Sequence, residues 1–189
     1  MKRIFLPLFL LAFLIFSCEQ KGKNLLNYDI ESNSVQKVYE VTLDSLFIRP
    51  ETDIIVIRDS TESWRHLNPT YVLQEFPMLD TSTFSDFICK NQQSIPVKHC
   101  IDLTINTIFL TDSTFHNIMK SGGWYAFYDM YPNSSGYLTV SAPGFNKGKT
   151  EALLYVSARY HDLAGGGYLI YMTHDGSWKI QKYILVWIS

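Results

Sequence analysis

The stretch Tyr168-Leu169-Ile170-Tyr171-Met172-Thr173-His174-Asp175-Gly176-Ser177-Trp178-Lys179-Ile180 decides the fold. Asp175-Gly176 separates two runs, Tyr168–Thr173 and Trp178–Ile188, and Asp-Gly between apolar alternating runs is a strong short-range sign of a β-hairpin. In the second run Trp178, Ile180, Ile184, Val186 and Ile188 share a face, with Lys182 as the exception. The other face starts with Lys179 and Gln181 and turns apolar at Tyr183, Leu185 and Trp187. Upstream, Glu151–Arg159 places Ala152, Leu154, Val156 and Ala158 together, and Tyr137–Ser141 reads as another strand. Turn formers fill the gaps: Pro143-Gly144 with Asn146-Lys147-Gly148, then Gly165-Gly166-Gly167. These runs predict an antiparallel β-meander of the C-terminal four strands with helices packed on one face, in the α+β class.

The preceding half supplies the helices. Val38–Leu46 fits a helix or a strand, whereas the β-branched run Ile54-Ile55-Val56-Ile57 reads as a buried strand. Asn68-Pro69 marks a turn. Asp80-Thr81-Ser82-Thr83 offers capping side chains to a helix whose Phe84, Phe87 and Ile88 share a face. Ile101–Leu110 reads as a strand. Thr111-Asp112-Ser113 then caps a helix through Phe115, Ile118 and Met119, ending near Gly122-Gly123. Trp124–Tyr131 either extends that helix or bridges as a strand.

The N-terminus reads as an address. Lys2 and Arg3 precede thirteen uncharged, mostly apolar residues, Ile4–Phe16, and Ser17-Cys18 follow. As a helix that run rises roughly 20 Å, short of the ~30 Å hydrocarbon core, so it suits a cleaved signal better than a permanent span. Leu14-Ile15-Phe16-Ser17-Cys18 resembles a bacterial lipobox, which implies lipidation of Cys18. The expected organisation is a signal peptide over 1–17, a polar tether over 18–37 rich in Asn, Ser, Lys and Gln, and a single domain over 38–189. The chain is 189 residues, 47% hydrophobic, 15% aromatic and 18% charged, with 16 basic and 18 acidic side chains. Without Lys2 and Arg3 the balance is 14 against 18, a net charge of −4. That excludes the basic surface through which nucleic-acid binders neutralise phosphates. Aromatic and apolar content excludes a disordered chain.

Besides Cys18, the cysteines are Cys89 and Cys100, eleven positions apart. In an oxidising compartment they could close a loop by a disulfide. Two buried thiols is the alternative. Metal binding beside His99 lacks the ligand count of a structural zinc site, and no metal or cofactor is expected.

The motifs Gly144-Phe145-Asn146, Ala152-Leu153-Leu154-Tyr155-Val156, Leu163-Ala164-Gly165-Gly166-Gly167-Tyr168, Gly176-Ser177-Trp178-Lys179-Ile180 and Trp187-Ile188-Ser189 resemble a group of uncharacterised bacterial lipoproteins. These share a Gly-rich loop, a G-x-W-K hairpin and a W-I-S ending. The likeness covers roughly residues 120–189, with a weaker echo at Trp64-Arg65-His66-Leu67-Asn68-Pro69. Members often carry cysteines in the loop matching His161–Gly167. This chain has none there, so the bridge they would form is missing. The resemblance implies fold and export and supplies no catalytic residues.

The strongest candidate chemistry is Arg159-Tyr160-His161-Asp162 leading into Gly165-Gly166-Gly167, expected on a loop longer than a tight hairpin needs. Arg159, His161 and Asp162 could bind an anion or move a proton. The plain alternative is a solvated loop whose glycines supply positive φ. Trp64 and His66, with Tyr71, are a second candidate for an aromatic-lined pocket. No Gly-Lys-Ser/Thr loop, G-x-S-x-G elbow or H-E-x-x-H pair occurs. The aromatic run Trp124, Tyr125, Phe127, Tyr128 and Tyr131 suits a core better than a sugar platform. Together these features predict an envelope lipoprotein, anchored by lipid to the membrane, expected on the periplasmic or surface side of an outer membrane. Its domain is expected to be a non-enzymatic binding module for a glycan, a peptide or an envelope protein. The alternatives are a hydrolase with an unfamiliar site near residues 159–167 and an inhibitor or immunity-type protein.

Overall fold

The structure, a computed structural model, describes residues 28–63 and 68–189, with side chains from residue 33 onward. The signal peptide, Cys18, the first half of the tether, and Trp64 and His66 therefore lie outside the described residues.

The elements run α1 (Tyr28–Leu46), β1 (Ile54–Arg58), α2 (Pro69–Glu75), α3 (Thr81–Lys90), β2 (Asn106–Leu110), α4 (Asp112–Met130), β3 (Ser134–Val140), β4 (Gly144–Phe145), β5 (Glu151–His161), β6 (Ala164–Asp175) and β7 (Ser177–Ile188). They form a seven-stranded sheet ordered β2-β1-β3-β5-β6-β7, with β4 pairing to β5 off that path. β1 is parallel to both neighbours, and the pairs from β3 to β7 are antiparallel. The α+β class and the C-terminal antiparallel run match the sequence reading. The β6–β7 hairpin reverses at Gly176, whose φ is 71°, as Asp-Gly requires.

Helices cover both faces of the sheet, where the sequence suggested one. Ala152–Ala158 of β5 is buried without interruption, and a strand closed on both sides needs two covering layers. Ala152, Leu154, Val156 and Ala158 pack in one cluster with Val38, Tyr39 and Leu43 of α1. The alternate residues Leu153 and Tyr155 pack with Val72 and Phe76 at α2 and with Phe84 and Phe87 of α3. Towards the β2 edge, Ile118, Trp124 and Phe127 of α4 cover Val56, Leu110 and Tyr137.

The segment open to either reading is helix α1, which begins at Tyr28, inside the stretch read as tether. Two bonds fix it to the sheet. The Tyr39 hydroxyl donates to the Ser141 carbonyl at 2.8 Å, and Thr42 donates to the Met172 sulfur at 3.3 Å. The helix stops before Arg49-Pro50, where proline forbids continuation. Both expected caps form: Asp80 accepts from the Ser82 amide at 2.7 Å, and Thr111 from the Thr114 amide at 3.0 Å. The bond from the Ser82 amide favours the Asp80 carboxylate and lowers its pKa.

Helix α4 passes the glycine pair at which the sequence ended it. Gly123 has φ 63° and ψ −146°, so the helix breaks there and resumes at Trp124 on a new heading. That turn carries Trp124 and Phe127 into the core and leaves Tyr125 85% exposed. The strand expected over Ile101–Leu110 is confined to Asn106–Leu110. Cys100 is a buried thiol in the cluster beneath α1, while Cys89 rides on α3 over the opposite face. Cys100 keeps its thiol, and the expected Cys89–Cys100 bridge is not made.

Two buried tyrosines separate the value of a hydrogen bond from that of a ring. Tyr39 has its partner at Ser141, whereas the Tyr137 hydroxyl is buried and has no partner among the described residues. Tyr39→Phe is therefore expected to lower unfolding free energy by about 1 kcal/mol. Tyr137→Phe, which removes a hydroxyl already lacking a bond, is expected to be neutral or stabilising in the same denaturant titration.

Candidate functional site

The expected loop after Arg159 is a tight hairpin. β5 continues to His161, Asp162 and Leu163 turn, and β6 begins at Ala164. Arg159 pairs across to Gly165 and His161 to Ala164, with a register shift between Arg159 and His161 that leaves Tyr160 as the extra residue. The glycine run is thus strand, and none of its three residues has positive φ.

Gly167 is small for a different reason. It lies opposite Trp187 in the β6–β7 ladder, and a Cβ there would collide with the Trp187 indole nitrogen and the Tyr155 hydroxyl. Those two groups are bonded over it, Trp187 Nε1 donating to Tyr155 Oη at 2.6 Å. Beside them the sheet turns polar. The Ser157 and Thr139 hydroxyls lie 2.7 Å apart, and Thr139 donates to Glu62 at 2.7 Å. Burial above all pushes the Tyr155 hydroxyl up to about 12, and the bond from Trp187 acts in the opposite sense. Burial likewise raises Tyr137, which neighbours Arg159 in the β3–β5 register.

At this end of the sheet a cleft of ≈ 370 Å³ opens between α4 and the strand ends. Helix α4 lines it with Phe115, Met119 and Trp124; the end of β5 and its turn bring Arg159, His161 and Asp162; β7 brings Trp187 and Ser189. The apolar wall is a fixed aromatic stack: Phe115 lies face to face with Tyr137, centroids 3.8 Å apart, and edge-on to Trp124 at 6.0 Å. Tyr128, beyond the α4 kink, donates to the Tyr160 carbonyl at 2.9 Å and ties helix to hairpin. On the rim, the Arg159, His161 and Asp162 side chains are exposed, and none makes a hydrogen bond or ion pair with a described residue.

Arg159, His161 and Asp162, singled out in the sequence, therefore meet at one cleft. Trp64 and His66 lie outside the described residues, and Tyr71 is an exposed residue of α2. The sequence reading missed Phe115, Met119, Trp124 and Trp187 as lining. The pairing of a triple glycine with a tryptophan near the end of a facing strand was the available signal for Trp187. His116, on α4, and His174, beside the β6–β7 turn, are not among the residues lining the cleft. No known protein family, characterised protein or solved structure matches the chain significantly.

Two outcomes follow from the buried tyrosines. Tyr155→Phe is expected to cost about 1 kcal/mol and to shift the indole N–H resonance of Trp187, read by NMR. The unfolded chain ionises its tyrosines near pH ~10, whereas folded Tyr155 keeps its proton to about 12. Their contribution is complete below about pH 10 and is lost as pH rises towards 12, because the unfolded state then binds fewer protons. The denaturant midpoint should therefore fall above about pH 10, less steeply in Tyr137→Phe.

Proposed function

We propose that the chain is an exported lipoprotein, held at the bacterial envelope by lipid on Cys18, whose domain is a non-enzymatic binding module for a peptide or glycan. The observation that carries the reading is the meeting of Arg159, His161 and Asp162, uncommitted to described residues, with Trp124 and Trp187 at one cleft. Its volume falls at the lower end of small-ligand sites, roughly 300–1,000 Å³, where apolar walls with a few polar groups provide orientation. Aromatic walls suit the flat apolar face of a sugar or a peptide side chain. The apolar run Ile4–Phe16 ahead of Ser17-Cys18 supports the address. Among the described residues no helix is long and apolar enough to cross a membrane.

A hydrolase using His161 or Asp162 as acid or base is the second reading, since both line the cleft. Their exposure favours binding, because the rim is open to water at the groups that would move a proton.

Titration with peptidoglycan fragments, oligosaccharides and short peptides, followed by the indole resonances, tests the reading. At least one class is expected to move Trp124 and Trp187 together. Arg159→Ala should weaken that ligand about tenfold, the worth of one charge-assisted hydrogen bond. No response from any class would remove the reading, and turnover abolished by Asp162→Asn would favour the hydrolase. The address is tested separately. Cys18→Ser should move the protein from the detergent-rich to the aqueous phase and remove the acyl mass from its N-terminal peptide.

A further inference from the structure

We propose that the ligand of this cleft is zwitterionic, a short peptide or amino acid with both ends free and an apolar side chain; the inference rests on the binding-module reading above. Arg159 and Asp162 carry opposite charges three positions apart at the end of β5 and its turn. They line the same cleft without forming an ion pair with each other or with another described residue. A rim with only a cation would suit any anion, and one with only a carboxylate any amine. A purely anionic ligand reaching Arg159 would meet the charge of Asp162, and a neutral ligand would leave both groups to water.

A molecule carrying a carboxylate and an ammonium answers both. The carboxylate takes the planar fork of the Arg159 guanidinium, and the ammonium donates to Asp162. The interior selects the remainder. Phe115, Met119 and Trp124 form an apolar wall that rewards a buried side chain and offers no acceptor for a string of sugar hydroxyls. His161, between the two charges in sequence, lines the same cleft and offers a ring N–H to the carboxylate as a second donor.

The test is a blocking series read by isothermal titration and by the indole resonances. The probes are Leu-Phe dipeptide with free ends, its N-acetyl form, its C-terminal amide, and a neutral chitooligosaccharide. The free dipeptide is expected to bind best, with each block weakening it about tenfold. N-acetylation should no longer matter in Asp162→Asn, nor amidation in Arg159→Gln. Both residues are exposed, so the variants should fold, as circular dichroism would check. If the blocked dipeptides or the oligosaccharide bind as well as the free dipeptide, the zwitterion inference is overturned while the cleft remains a binding site. If no probe binds or moves Trp124 and Trp187, the inference falls, and failure of the broader ligand panel as well would take the binding-module reading with it.

Discussion

The closure of β5 on both faces is the constraint from which the rest of the architecture follows. Its residues Ala152–Ala158 admit no water, so each flanking layer must supply apolar cover. Helix α1 does so on one side, and α2 and α3 on the other. Helix α4 is displaced towards the β2 edge, over Val56 of β1 and Tyr137 of β3. On that second face the two helical layers serve different parts of the sheet, and between them the strands carry Thr139, Ser157 and Arg159 in place of apolar residues. The cleft is the open end of that seam.

Much of the fold was legible because its signals are local. Asp175-Gly176 gave the last hairpin, Ile54–Ile57 the first strand, and Asp80 and Thr111 their helix starts. Each depends on residues a few positions apart, where propensity and capping act. The number of covered faces was present in Leu153 and Tyr155, which break the inside-outside alternation of β5, yet assigning their cover needs contacts far apart in sequence. The Cys89–Cys100 loop failed for the same reason. Eleven positions is short along the chain, yet Cys89 lies on α3 while Cys100 lies in the following loop, buried in the cluster that packs under α1.

The site was half legible. Arg159, His161 and Asp162 stand out as a polar cluster after an apolar strand, and they do share a cleft. The glycines beside them read as a long loop with positive φ because glycine is permissive in backbone and also absent in side chain, and the sequence does not say which property is used. At Gly167 the second one matters: space is kept for the Trp187 indole and the Tyr155 hydroxyl. The aromatic wall was read as core filling, and Trp124 and Phe127 do fill the core while Trp124 also shows an edge to the cleft.

The break in α4 at Gly123 has a bearing on selectivity. Phe115 and Met119 stand ahead of it and Trp124 behind, so a pair of backbone torsions fixes the angle at which one flank of the opening meets the other. The leading half is anchored through Thr111 at its start, and the trailing half through Tyr128 to the hairpin. Aperture is thereby uncoupled from the identity of the groups that face a guest. A lineage could retune the size of what it admits at a swivel that no guest touches, leaving the charged rim as it stands.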